Sequence, residues 1–382
     1  MLLFAILALG ILTMWVPSRW ALTAFELAML AGAAWQLLRT RSLRVEPSSA
    51  ILAAVVAWGG AQLLAGWSVD PFRTQEELLF WTIRLCGFAW AICLPDRTRD
   101  RFLTASLIFA SVLAVAGMLS VFSSPPGTIF WSVDVGTGAA TLGPFVYRNQ
   151  FAAFMELLLP VALLRAFTDR NRAWLYASAA GLMVASVVAS GSRAGTVLCV
   201  GEVVAIPLLV SARHSGDDKR QKSTLGITLG ILASVGILTL VAGWTQLASR
   251  FEEVNPYGLR WDLTRSSIEM FQARWLTGWG LGTWSQVYPG FAHFDDGSFV
   301  NQAHNEWAQW AAEGGILLFL LVLAFAVLLL RPALRTIWGL GALAVLAHAG
   351  LDYPFEQRPQ LAVFLFVFFG LVASSGRTPK YT

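Results

Sequence analysis

Long apolar runs separated by short polar joints make up most of this chain. At helical length the runs fall at about 2–16, 20–38, 51–66, 78–94, 102–122, 150–168, 173–190, 194–211, 224–243, 313–330, 333–350 and 359–375, most of them long enough to cross a hydrocarbon layer of ~30 Å. The first is short for such a crossing. The pattern predicts an all-α, polytopic integral membrane protein of about twelve transmembrane helices, with a five-helix region over 1–122 and a second membrane region over 123–382. The runs are unbroken and do not alternate, which excludes a transmembrane β-barrel.

Composition agrees. Hydrophobic residues make up 56% of the 382 and charged residues only 13%, with a mean hydropathy of +0.61, whereas a soluble domain carries about 25% charged residues. The 17 Trp residues suit a membrane–water boundary. The sequence pI of 9.2 reflects Lys and Arg in loops, and no basic block stands apart to bind nucleic acid. Cys86, Cys93 and Cys199 lie inside apolar runs, match no metal spacing, and are expected to pack as small hydrophobes. The first run lacks a basic leader and a small-residue cleavage site, so it is expected to be a retained span.

Charge then orients the chain. One set of alternate loops carries Arg39, Arg41 and Arg44; Arg97, Arg99 and Arg101; Arg165, Arg170 and Arg172; Arg213, Lys219, Arg220 and Lys222; and Arg331 and Arg335. The intervening short loops carry only Arg19, Arg73, Arg148, Arg193 and Arg358. The positive-inside rule places both termini in the cytoplasm. Two loops on the opposite, outer side are long, one at 123–149 and one at 244–312. The second is expected to be partly helical, starting at Asn255-Pro256 and ending near Gly278 to Gly282. Loops of this length are uncommon unless functional. Within the second, Arg260, Ser267 and Arg274 share one stripe, and Trp261, Ile268 and Trp275 share a neighbouring apolar one.

Charged residues inside spans need a reason. Glu26 and Arg84 lie near enough to span ends to snorkel, and Glu202 reads as a protonated packing residue. Glu156 shares a helical face with Asn149, seven residues earlier. Arg193, in the tight Ser190-Gly-Ser-Arg-Ala-Gly195 turn, stands where helix amides favour an anion, although an interfacial arginine meeting lipid phosphate would look the same. Ala303-His304-Asn305-Glu306-Trp307 and Glu313-Gly314-Gly315 open the tenth span, and an imidazole with an ordinary pKa of about 6.5 suits a base. His348 and Asp352, four apart, can hydrogen-bond. Arg148, Arg193, Arg260, His304 and His348 all fall on the outer side, with no metal-ligating cluster among them. Such a set handles an anion with arginine and moves a proton with histidine.

These residues resemble the bacterial O-antigen ligase and O-antigen polymerase family. The resemblance rests, in order, on Asn149-Gln-Phe-Ala152, Ser192-Arg-Ala-Gly195, the large loop with Arg260, and His304-Asn-Glu-Trp307 with Glu313-Gly-Gly315, and covers about 145–360. It implies transfer of a glycan from an undecaprenyl-diphosphate carrier to a glycan or lipid acceptor hydroxyl, with inversion and without cofactor, metal or nucleotide sugar. Carried onto this chain, it has Arg193 and Arg260 grip the diphosphate, with Arg148 adding a contact where relatives carry Gly or Pro. His304 takes the acceptor proton. Asn149, Glu156, His348 and Asp352 support the site, Asn305, Glu306 or Glu313 hold the imidazole or acceptor, and Trp261, Trp275 and Trp279 offer faces for sugar rings. Two other readings stay open. A lipid-linked glycan transporter or flippase should gather polar groups at mid-membrane. A shape-and-division type cell-wall polymerase would depend on a loop carboxylate such as Asp262, Asp295 or Asp296. Membrane lipids are expected partners in every case.

Overall fold

The computed structural model describes residues 1–39, 46–136, 141–213, 218–242, 248, 258–295, 297 and 299–375. Apart from one antiparallel strand pair, Thr128–Ile129 with Val133–Asp134, the regular structure in these residues is helical. The expected helix start at Asn255-Pro256 and the candidate Asp296 lie outside the described residues.

Seven helices among the described residues are long and apolar enough to cross a membrane, and they match seven of the expected spans. They are α2 (Arg19–Arg39), α3 (Pro47–Leu64), α5 (Asp96–Ser123), α6 (Arg148–Thr168), α7 (Ala173–Ser190), α8 (Arg193–Arg213) and α12 (Glu306–Thr336). The chain is a multi-pass membrane protein. The other expected spans differ. Helix α1 (Leu2–Thr13) has 12 residues. Helix α4 (Pro71–Ile92) is 22 residues long, about 33 Å, but carries Arg73, Glu76, Glu77 and Arg84. In α9 (Asp218–Ala242) the apolar stretch is Gly226–Ile237. The expected 333–350 span contains a helix of nine residues, α13 (Leu340–His348), and α14 (Pro359–Ser375) has 17.

Helix boundaries follow local chemistry. Pro71 opens α4, whose N-cap Asp70 accepts the Arg73 amide at 3.1 Å. At α3, Pro47 follows Glu46, and Ser49 Oγ accepts the Glu46 amide at 3.1 Å. Helix α7 stops at Gly191, which takes the left-handed conformation (φ 69°) that glycine adopts without strain.

The described chain forms two compact units, Met1–Leu22 with Pro95–Val254 and Ala333–Val345, and Thr23–Leu94 with Asn255–Pro332 and Leu346–Thr382. Each draws on both the 1–122 and the 123–382 regions. The first unit is built on α6, buried without interruption from Asn149 to Leu163. Close approaches hold its neighbours. A Cβ on Gly195 of α8 would stand 2.5 Å from the Ala152 Cβ, and one on Gly341 would stand 2.3 Å from the Leu157 carbonyl oxygen.

In the second unit α4 and α14 run side by side in the same direction. Gly87 faces Val363 and Val367, and Gly370 faces Phe88 and Ala91. The α3–α4 turn and the loop before α14 therefore stand at the same end of the unit. Helix α12, with 31 residues, spans about 46 Å, more than a bilayer core requires. It is not straight. Gly315 (φ 65°, ψ −166°) breaks it, and the bend brings the Trp307 and Phe319 rings to 6.5 Å. The Trp58 indole donates to the Gly314 carbonyl at 2.8 Å, fixing the bend beside α3. Helix α10 (Gly258–Ala273) packs Leu263 and Met270 on Trp284, Tyr288, Ala303 and Ala312, where Trp284 lies on α11 (Trp284–Val287) and Tyr288 begins a 3-10 turn.

Gly370→Val should destabilise the second unit, because its Cβ would lie 2.7 Å from the Phe88 carbonyl oxygen. A loss of about 1–3 kcal/mol is expected for forced overpacking, read as earlier thermal unfolding in detergent.

Candidate functional site

Helix α13 ends at His348, and four residues later the chain buries Asp352 completely. Its amide donates to the His348 carbonyl at 3.0 Å. Oδ1 accepts the Tyr353 amide at 3.0 Å and faces His304 Nδ1 at 3.2 Å, while Oδ2 accepts Arg260 Nη2 at 2.9 Å. Arg260 also donates from Nη1 to the Leu351 carbonyl at 2.9 Å, so one guanidinium spans the residue and its predecessor. The three side chains come from α10, the segment before α12 and the loop before α14.

Burial alone would raise the Asp352 pKa. The His304 hydrogen bond and the positive charges of Arg260, His304 and His348 outweigh it and bring the carboxyl down to about 2. An ionised carboxylate can only accept, so Nδ1 of His304 carries the proton facing it and Nε2 is the basic nitrogen. His304 and Arg260 keep a quarter of their side-chain surface exposed, against none for Asp352. His304 also sits in the left-handed region (φ 52°), which costs about 1 kcal/mol for a side-chain-bearing residue, and its ring stands at a steep angle to that of Tyr353 with centroids 4.8 Å apart.

Asn305, Glu306 and Glu313, expected to hold the imidazole or the acceptor, fasten backbone. Asn305 Oδ1 accepts the Ala308 amide at 3.2 Å at the start of α12. Glu306 Oε1 accepts the Phe355 amide at 2.8 Å. Glu313 accepts the amides of Gly282 (2.9 Å) and Trp284 (3.2 Å) and the Gln309 side chain at 3.1 Å. His348, expected to bond Asp352, is fully buried, accepts the Asp352 amide at its carbonyl and helps lower the Asp352 carboxyl. Asp295, a carboxylate of the alternative reading, accepts the Gly297 amide within its own loop.

Arg84 overturns the snorkelling expectation. Only 1% exposed, it donates to Glu77 Oε1 at 2.8 Å and to the Phe355 carbonyl at 2.9 Å, and lies over the Trp81 ring at 4.7 Å. Phe355 is thus gripped at its N–H by Glu306 and at its C=O by Arg84, three residues from Asp352. Glu356, beside it, is raised by burial and partly restored by Arg84. The Glu77–Arg84 spacing of seven, one face of α4, was the available signal. Glu26 is likewise buried.

In the first unit, Arg148 and Arg193 are the first residues of α6 and α8. Ser192 Oγ donates to Asn149 Oδ1 at 2.7 Å and accepts the Gly195 amide at 3.2 Å, pinning the two helix starts together. A Cβ on Gly195 would also stand 2.9 Å from Glu156 Oε1, so Asn149 and Glu156 do share the face turned to α8. Two adjacent N-termini, each opened by an arginine, favour an anion.

Residues 178–323 match the family model Wzy_C, O-Antigen ligase, which supports the O-antigen ligase and polymerase family for this chain. The match contains Arg193, Arg260, His304 and Glu313. Arg148, Asn149, Glu156, His348 and Asp352 lie outside it. No curated protein matches the chain.

Two outcomes follow from the geometry. The folded Asp352 pKa lies below its ordinary value, so its stabilisation is complete above about pH 4 and lost as pH falls toward 2. Asp352→Asn should therefore lose about 2 kcal/mol at neutral pH and flatten the acid limb of the stability curve, measured by denaturation between pH 2 and 7. Arg84→Met should cost about 3–5 kcal/mol by stranding Glu77, and the Arg84→Met, Glu77→Gln pair should recover part of it in the same assay.

Proposed function

Taking that family match as premise, we propose that the protein transfers a glycan from undecaprenyl diphosphate to an acceptor hydroxyl on the periplasmic side of the inner membrane, as an O-antigen ligase or polysaccharide polymerase. The observation that carries this reading is the buried Asp352 carboxylate facing Nδ1 of a partly exposed His304. That pairing fixes the tautomer and turns a basic Nε2 away from the carboxylate, the arrangement a general base needs. The acceptor O–H gives its proton to Nε2 as its oxygen bonds to the anomeric carbon. The bond from that carbon to the diphosphate oxygen breaks with inversion, and its electron pair leaves with the carrier diphosphate. Asp352 stabilises the imidazolium that forms.

Arg148 and Arg193 are the proposed diphosphate ligands, supported by the paired helix starts. Guanidinium keeps its charge and bonds phosphate bidentately, which would offset the leaving group's charge without a metal. Arg260, committed to Leu351 and Asp352, holds the carboxylate in register while adding positive charge beside His304.

The test uses purified protein, an undecaprenyl-diphosphate oligosaccharide and candidate acceptors in EDTA. His304→Ala should lose about 10²–10⁴-fold in turnover, the range for a positioned base, and Arg193→Lys should lose most activity because an ammonium cannot make the bidentate contact. Full activity of His304→Ala would remove the general base, and strict dependence on added metal would remove the arginine mechanism.

A further inference from the structure

Helix α10 buries one face and leaves another bare. Trp261 is 74% exposed, Ile268 48% and Trp275 56%, and Leu276 continues the apolar surface at 56%. Trp261 and Ile268 share one stripe of the helix with exposed Arg265 and Gln272, and Trp275, two residues past the helix end, keeps the same seven-residue spacing. What covers this stripe is decided by where α10 lies in its unit.

Both ends of the helix are tied to one end of the second unit. At its start Arg260 bonds Leu351 and Asp352, in the loop that leads into α14. Just past its finish the Trp275 carbonyl accepts the Ile316 amide at 2.7 Å, at the bend of α12. Arg274 donates to the Trp67 carbonyl at 3.2 Å, and the Trp279 carbonyl accepts the Val69 amide at 3.0 Å, both in the α3–α4 turn. A rod of 16 residues, about 24 Å long, therefore runs across this end of the unit.

The apolar surface continues from the stripe onto its surroundings. Beyond the bend, α12 exposes Leu317, Leu320, Leu323 and Val327, the face of a lipid-crossing helix, and the end of α3, the turn after it and the start of α4 expose Leu64 (92%), Trp67 (38%) and Phe72 (72%). The segment from Ile316 to Thr336 alone covers about 31 Å, so the bend sits where hydrocarbon gives way to headgroups. Exposed tryptophan with interspersed arginine is the composition that settles at that boundary.

We propose that α10 is an interfacial helix whose Trp261–Ile268–Trp275 stripe is covered by the phospholipid headgroup and upper acyl region of the adjoining leaflet. This placement does not depend on the glycosyltransferase reading. It sets the bilayer against the helix that supplies Arg260 to the Asp352 carboxylate.

The full chain, carrying Ile268→Cys and a nitroxide label, would be reconstituted in phosphatidylethanolamine–phosphatidylglycerol vesicles and power-saturated in the presence of oxygen or a water-soluble nickel chelate. The signal of the unsubstituted protein, which retains Cys86, Cys93 and Cys199, is subtracted. Relaxation by oxygen several-fold stronger than by nickel is expected at position 268, and again for Trp261→Cys. Stronger relaxation by nickel at both positions would overturn the proposal. A soluble oligosaccharide that shields the labels from both reagents would overturn it too, identifying a sugar platform. Both positions are exposed, and unchanged thermal unfolding of the labelled variants confirms that the fold is intact.

Discussion

A carboxylate with no exposed surface stays ionised only if its surroundings replace the water it has lost. Asp352 meets that condition with Arg260 on one oxygen and the His304 ring and Tyr353 amide on the other. The interaction draws together three stretches far apart in sequence: α10, the segment before α12 and the loop before α14. Removing either side-chain partner would weaken the support of a buried charge, whereas keeping both turns the carboxylate into a fixed reference for the imidazole. His304 holds a left-handed backbone conformation at that point, a strain that persists when the surrounding contacts specify the position.

The reference is itself anchored one layer down. Phe355 is held by Glu306 and Arg84, and its ring packs against Trp310, Phe366 and Phe369. The Asp352 loop is therefore bolted to α4 and α14, the two helices whose close contact depends on Gly87 and Gly370. Packing between helices and the geometry of a partly exposed histidine are linked through one phenylalanine's backbone.

Much of this architecture was legible in the sequence, for identifiable reasons. Span positions follow from apolar length, and the seven helices that qualify as spans lie where hydropathy put them. Asp352 was legible as a chemistry-bearing residue because it follows an apolar run, and His304 and Arg260 because they stand in a long loop that leads into one. Their mutual contact was not, since 48 residues separate His304 from Asp352 and no local periodicity reaches that far. The four-residue spacing of His348 and Asp352 marked them as neighbours, and the Asp352 amide does donate to the His348 carbonyl although the helix ends at His348. Arg84 was misread because a charge near a span end ordinarily reaches water, and nothing within α4 shows that Phe355 waits with an open carbonyl. The bend at Gly315 was masked by its setting, since Gly314-Gly315 ahead of a run of leucines reads as the beginning of a span.

Why Asn305, Glu306 and Glu313 ended on backbone follows from the same constraint that shapes membrane proteins generally. Irregular chain at the end of a helix bundle exposes amides that no ladder satisfies, and each unsatisfied one is costly. The loop before α14 and the Gly280–Trp284 turn are such segments. Their amides at Phe355, Gly282 and Trp284 are met by carboxylates from the first half of α12, while Asn305 caps that half at its own start. The polar cluster around His304 thus divides by role. One carboxylate faces the imidazole, and the rest make it possible for non-helical chain to be there at all. Acidic residues next to a candidate base are better assigned by the amides they accept than by their distance from it in sequence.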